Sequence, residues 1–109
     1  MYVRRLLEKS LKEAVKSFPA VFIGGPRRSG KTTLSKTFLK GYNYVLLDEA
    51  DVRSLAIEDP RGFLEKYPPP VIIDEIQNAP DLLPYIKARI DKNKKPGQWV
   101  ITGSQQWAL

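Results

Sequence analysis

Gly25-Pro26-Arg27-Arg28-Ser29-Gly30-Lys31-Thr32 follows the pattern G-x-x-x-x-G-K-[ST], and its positions suit the binding of phosphate. Gly25 and Gly30 let the main chain curl so that successive N–H groups point inward at phosphate oxygens. A helix beginning near Gly30 adds the positive end of its dipole. Lys31 brings a point charge between the β- and γ-phosphates, and the Thr32 hydroxyl is a hard oxygen ligand for Mg²⁺. Pro26, Arg27, Arg28, Ser29 and Thr33 complete the candidate phosphate-contacting segment. A chance match in a chain of this size is on the order of a few in a thousand. The plain alternative is a glycine turn capping a helix.

A second set of chemical groups follows an apolar run. Val71-Ile72-Ile73 leads into Asp74-Glu75. At the carboxyl end of a parallel strand, Asp74 would face the phosphate-binding segment and hold Mg²⁺ through water. Glu75 is placed to orient or deprotonate an attacking water, a role worth roughly 10²–10⁴-fold. The alternative is an acidic pair capping a helix. Trp99–Thr102 is a further apolar run that ends in Gly103-Ser104-Gln105. A Ser or Thr hydroxyl there is a candidate sensor of the γ-phosphate or of water, with Gln105 a weaker candidate for the same job; the plain alternative is an ordinary turn. Asn93-Lys94-Lys95-Pro96 lacks the aspartate of the guanine-reading N-K-x-D pattern, so ATP is the expected nucleotide.

These residues need elements to hold them. Val3, Leu7, Leu11, Ala14 and Phe18 recur at helical spacing over 2–17, and Pro19 stops that helix. Ala20–Ile23 and Tyr44–Leu47 are short apolar runs that read as buried strands. Residues 29–39 read as a helix with Gly41 at its C-terminal turn. Asp51 is expected to cap a short helix over 52–57. Asp59-Pro60 opens another helix reaching about Tyr67. Pro68-Pro69-Pro70 is a stiff connector, and Leu82–Asp91 is a helix with Leu83, Ile86 and Ile90 inward. Strands that are apolar throughout and alternate with helices argue for a parallel sheet covered on both faces.

Composition narrows the chemistry further. The chain has 109 residues, and 42% are hydrophobic, enough for one packed domain. Cysteine and histidine are both absent, which removes thiolate and imidazole metal sites and every His-based triad. There is no bilayer-length apolar run and no signal-peptide pattern, so a cytoplasmic protein is expected, with no membrane partner. Lys and Arg number 18 against 12 Asp and Glu, a net +6 that favours polyanions. The basic helix over 2–17 offers an alternative function as a nucleic-acid-binding module. A small kinase is another alternative, although no arginine-rich substrate lid is evident. Trp99, Trp107 and the tyrosines do not interleave with basic residues as a stacking platform would, and read as core or edge residues.

Taken together, the chain resembles the P-loop ATPases of the AAA superfamily found in archaea and bacteria. The shared features are Phe18-Pro19, Gly25-Pro26-Arg27, Gly30-Lys31-Thr32-Thr33, Leu47-Asp48, Asp51-Val52-Arg53, Asp59-Pro60, Asp74-Glu75-Ile76-Gln77, Ala79-Pro80 and Thr102-Gly103-Ser104-Gln105. The resemblance spans essentially residues 1–109 as one ATPase core with Walker A, Walker B and sensor-1 regions. It implies a three-layer α/β fold with a parallel sheet in the order 1-4-3-2. It also implies that Lys31 and Thr32 bind ATP and Mg²⁺, that Asp74 supports the metal, and that Glu75 activates water with Ser104 as sensor. Arg28 departs from the pattern, standing where relatives often carry Gln. The fifth strand of the related core (order 5-1-4-3-2), the second sensor, the arginine finger and the helical lid have no counterpart in these residues. The first strand is therefore expected to be an open edge that invites self-association or pairing with further chain. Without an arginine finger, turnover falls by roughly 10³–10⁵, so nucleotide binding is expected to survive better than hydrolysis.

Overall fold

The computed structural model describes residues 2–24 and 39–103, and describes residues 2–9 by their backbone. Helix α1 (Tyr2–Ser17) leads into strand β1 (Ala20–Gly24). Strand β2 (Asn43–Leu46) precedes helices α2 (Ala50–Glu58) and α3 (Pro60–Lys66). Strand β3 (Val71–Asp74), a 3₁₀ turn (Ile76–Asn78), helix α4 (Leu82–Lys92) and strand β4 (Trp99–Gly103) complete the order.

The strands form one sheet in the order β1-β4-β3-β2, and every pairing is parallel. This is the expected 1-4-3-2 arrangement. Strand β3 is central because it has no polar face: Val71, Ile72 and Ile73 are at most 1% exposed. Burying each such side chain stabilises the fold by about 1.5–3 kcal/mol, so the strand is favoured where both faces are covered. The two-residue side-chain period divides its contacts. Val71 and Ile73 join Val45, Trp99 and Ile101 in a core closed by Ala56, Phe63, Leu64, Leu82 and Ile86 of α2, α3 and α4. Ile72 and Val100 face the other way, with Leu11 of α1, Leu39, Tyr42 and Tyr44. Trp99 is thus a core residue; Trp107 lies outside the described residues.

Local chemistry explains the element boundaries. Asp59 caps α3 as expected, its carboxylate accepting from the Gly62 N–H at 3.1 Å, with Pro60 in the first turn. Helix α2 begins earlier than expected. Arg53 N–H donates to the Glu49 carbonyl at 2.9 Å and closes a turn ahead of Asp51. Asp51 therefore sits inside the first turn rather than at the cap, where its charge still faces the helix dipole. Strand β2 is displaced by one residue from the expected Tyr44–Leu47, because the chain turns at Leu47 after its N–H donates to the Asp74 carbonyl. The helix expected over 29–39 lies outside the described residues except for Leu39, and Gly41 beyond it has the anticipated positive φ, 90°.

Among the described residues β1 pairs with β4 alone, and Phe22 on that strand is 52% exposed. No helix among the described residues is long and apolar enough to cross a membrane.

Candidate functional site

In a parallel sheet all carboxyl ends lie at one edge, and here that edge collects the chemistry. Gly24 pairs with Gly103 across β1 and β4, and Ile73 pairs with Ile101 across β3 and β4. One step beyond Ile73, Asp74 is level with Thr102. Gly24, the residue before the glycine-lysine motif, therefore ends at the same edge as Asp74. Two strand spacings, about 10 Å, separate them.

The side-chain period places Asp74 on the face of Ile72, and Thr102 on the matching face of β4, that of Val100. Tyr44 lies on the same face of β2, level with Ile72 and so diagonal to Asp74. Asp74 is fully buried. The Thr102 hydroxyl donates to its Oδ1, and the Tyr44 hydroxyl donates to its Oδ2 at 2.6 Å. Both carboxylate oxygens are engaged by neighbouring strands, which fixes the rotamer. Hydrogen bonds of this charge-assisted kind are about twice as strong as neutral ones. Burial pushes the Tyr44 phenol well above its ordinary value. The bond to Asp74 and the charges of Asp74, Asp48 and Glu49 push in the same direction. The phenol therefore remains a donor throughout the neutral range.

Glu75 leaves the sheet by a different device. Its backbone is left-handed, with φ 64° and ψ 54°, a conformation that costs a side-chain-bearing residue roughly 1–2 kcal/mol. The kink is held in place: Glu75 N–H donates to Thr102 Oγ1 at 3.0 Å, and Asn78 N–H donates to the Glu75 carbonyl at 3.1 Å. Gln77 Nε2 donates to Glu75 Oε1 at 2.7 Å, and the side chain is 5% exposed. Thr102 thus accepts from one acid's amide and donates to the other acid's carboxylate, joining Asp74 and Glu75 through a single hydroxyl. Beside them, Asn78 Nδ2 donates to Asp48 Oδ1 at 2.6 Å, tying the end of β2 to the 3₁₀ turn. Arg53 braces the same corner through the Asp48 carbonyl at 3.1 Å.

Of the residues expected from the sequence, Asp74 and Glu75 are brought together at the sheet edge. Gly25, Pro26, Arg27, Arg28, Ser29, Gly30, Lys31, Thr32, Thr33 and Ser104 lie outside the described residues. Sequence reasoning did not single out Tyr44, Gln77 or Asn78 as site residues, and it gave Thr102 no role toward Asp74. The signal available for Thr102 and Tyr44 was face parity: both stand an even number of residues from inward-facing apolar neighbours, but only the strand order makes them neighbours of Asp74.

The donor set can be matched to a cation by its chemistry. Among the described residues no group of three or more His, Cys, Asp or Glu side chains could hold a metal ion. A metal at Asp74 would therefore need its other oxygens from water, hydroxyl and phosphate. Mg²⁺ binds in that way, with one or two carboxylates and retained waters.

Comparison with known proteins agrees with this architecture. The uncharacterized protein Mb2031c of Mycobacterium bovis is 34% identical over 102 residues, covering 93% of this chain and 23% of its own length. The uncharacterized protein Rv2008c of Mycobacterium tuberculosis matches with the same identity and coverage. The chain thus spans about a quarter of the length of these curated relatives. No solved structure matches the chain. The AAA domain family matches residues 17–109, and with the parallel β1-β4-β3-β2 sheet and the acids at its carboxyl edge, the chain belongs to that family of nucleotide-binding P-loop ATPase-like domains.

Proposed function

We propose that this domain binds Mg·ATP and, within the whole protein, hydrolyses it. The observation that carries this reading is the locked Asp74-Glu75 pair at the carboxyl end of β3, about 10 Å from the point where the glycine-lysine motif leaves β1. In this reading the amides of 25–32 and the Lys31 ammonium hold the phosphates. The Thr32 hydroxyl, and Asp74 through water, hold Mg²⁺. When bound, that cation neutralises charge on the β- and γ-phosphates. Glu75 orients the attacking water and accepts its proton, its carboxylate held by Gln77 and its backbone by Thr102. Ser104 contacts the terminal phosphate. Turnover by the 109 residues alone is slow in this reading, since the resemblance assigns the arginine finger to no residue among them. Among the described residues β1 pairs with β4 alone, and its other side is the place where further chain or a second copy pairs.

Binding of a fluorescent ATP analogue with Mg²⁺, measured for the protein and for Lys31→Ala, tests the reading. Loss of most affinity in the variant, with an unchanged thermal midpoint, is the expected result. Equal binding by the two proteins refutes it.

A further inference from the structure

The Tyr44 hydroxyl has a role that the acid pair alone does not reveal. Resting on the Mg·ATP reading, we infer that Tyr44 is a positioning residue for metal binding. It acts by holding the Oδ2 side of Asp74 so that the carboxylate presents a fixed orientation to the hydrated cation.

Three observations carry this. Asp74 is fully buried and reached by hydroxyl donors from both flanking strands, Thr102 at Oδ1 and Tyr44 at Oδ2. With a strand hydroxyl on each oxygen, rotation about the last side-chain bond would break both of these hydrogen bonds at once. The carboxylate plane is therefore set before any cation arrives. Next, the Tyr44 hydroxyl spans 30 residues of sequence to make this bond at 2.6 Å. Its ring is anchored against the core formed by Leu11, Leu39, Ile72 and Val100, so the oxygen cannot follow the carboxylate if it turns. Finally, Tyr44 and the carboxylate stay complementary: a phenol donates, an ionised carboxylate accepts, and a buried carboxylate deprived of a donor has a strong reason to reorient. A carboxylate oxygen carries two lone pairs, so a hydroxyl donor does not by itself bar a metal-bound water from the same oxygen. Partners of this outer kind typically change metal affinity by 10–100-fold when removed. Thr102 remains in place when Tyr44 is altered, so the low end of that range, about tenfold, is expected.

The test compares Tyr44→Phe with Tyr42→Phe in the full chain. Tyr42 is also a partly buried phenol, and its hydroxyl donates to the Gly97 carbonyl, away from Asp74. Three quantities are measured: the thermal midpoint, affinity for the fluorescent ATP analogue in EDTA, and the Mg²⁺ concentration giving half of the metal-dependent gain in affinity. The expected result is that both variants lose thermal stability, but Tyr44→Phe alone raises the Mg²⁺ half-point, by about tenfold, with metal-free affinity unchanged. A Mg²⁺ half-point in Tyr44→Phe equal to that of the unaltered protein overturns the inference and leaves Mg·ATP binding standing. Parallel shifts in both variants assign the effect to general loosening and also overturn it. Absence of Lys31-dependent nucleotide binding in the unaltered protein overturns the proposed function, and this inference with it.

Discussion

Replacing Thr102 probes the joint that holds the two acids together. Thr102→Val keeps the shape of the side chain and removes only the hydroxyl. Two groups then lose a hydrogen bond at once: the Glu75 amide, 3.0 Å from Thr102 Oγ1, and Asp74 Oδ1, which accepts from the same atom. Both lie in a buried setting, Thr102 and Asp74 at 0% exposed and Glu75 at 5%. An orphaned buried neutral donor costs about 1–3 kcal/mol, and a charged acceptor more. The expected loss is therefore about 3–5 kcal/mol, against a total stability of roughly 5–15 kcal/mol. At about 4–8 °C per kcal/mol for a domain near this size, the midpoint falls by more than ~10 °C. Thr102→Ser retains the hydroxyl and loses one methyl group, which costs about 1 kcal/mol. Urea unfolding of the two variants separates the terms, since both act on the same site and differ only in whether the oxygen remains. A difference between Val and Ser below ~0.5 kcal/mol, the ordinary scatter of harmless substitutions, would show that the hydroxyl does not hold the pair. A double-mutant cycle with Asp74→Ala, which removes the acceptor, then measures how much of the loss is the Thr102–Asp74 bond itself.

Alkaline pH gives an independent test of the Tyr44 environment. Its folded-state pKa lies above the unfolded value of 10.0, through burial first and then Asp74, so between the two the folded state holds more protons than the unfolded one. Stability is thus fully present below pH ~10 and falls as pH rises beyond it. Chemical denaturation across pH 8–11 should show that decline, and Tyr44→Phe should flatten it in part, Tyr42 contributing the remainder because burial raises it too. Gly97→Ala is expected to cost about 2 kcal/mol or more, because φ is 78° and the added Cβ would stand 2.9 Å from the Val15 carbonyl oxygen. Gly41→Ala, with φ 90° but open space around it, should cost only the conformational part, about 1–2 kcal/mol. Equal losses in thermal unfolding would mean that the close approach of α1 to the start of β4 does not matter.

Elements set by local chemistry were legible in the sequence. Asp59-Pro60 announced α3, because a capping carboxylate and a residue with preset φ act within one turn. The apolar runs announced β1, β3 and β4 to within a residue; β3 and β4 are buried on both faces, whereas β1 is apolar but only partly covered, with Phe22 52% exposed. Helix α2 was misplaced at its start, where no side chain caps it and a main-chain bond to Glu49 decides. The left-handed turn at Glu75 left no local signal: glycine or asparagine usually marks such a position, and here contacts from Thr102 and Asn78 hold a glutamate in it.

The sequence by itself determined that an acid pair follows one apolar strand, and that a glycine-lysine segment follows another. Both patterns are written in neighbouring residues and need no knowledge of the rest of the chain. Only the tertiary structure decided which groups meet Asp74. Tyr44 lies 30 residues before it and Thr102 28 residues after it. They converge because β3 lies between β2 and β4 in a parallel sheet, and because its register turns the even-numbered side chains of all three strands to one face. A slip of one residue would have sent either hydroxyl to the opposite face, so pairing between distant strands, rather than any local preference, sets the carboxylate.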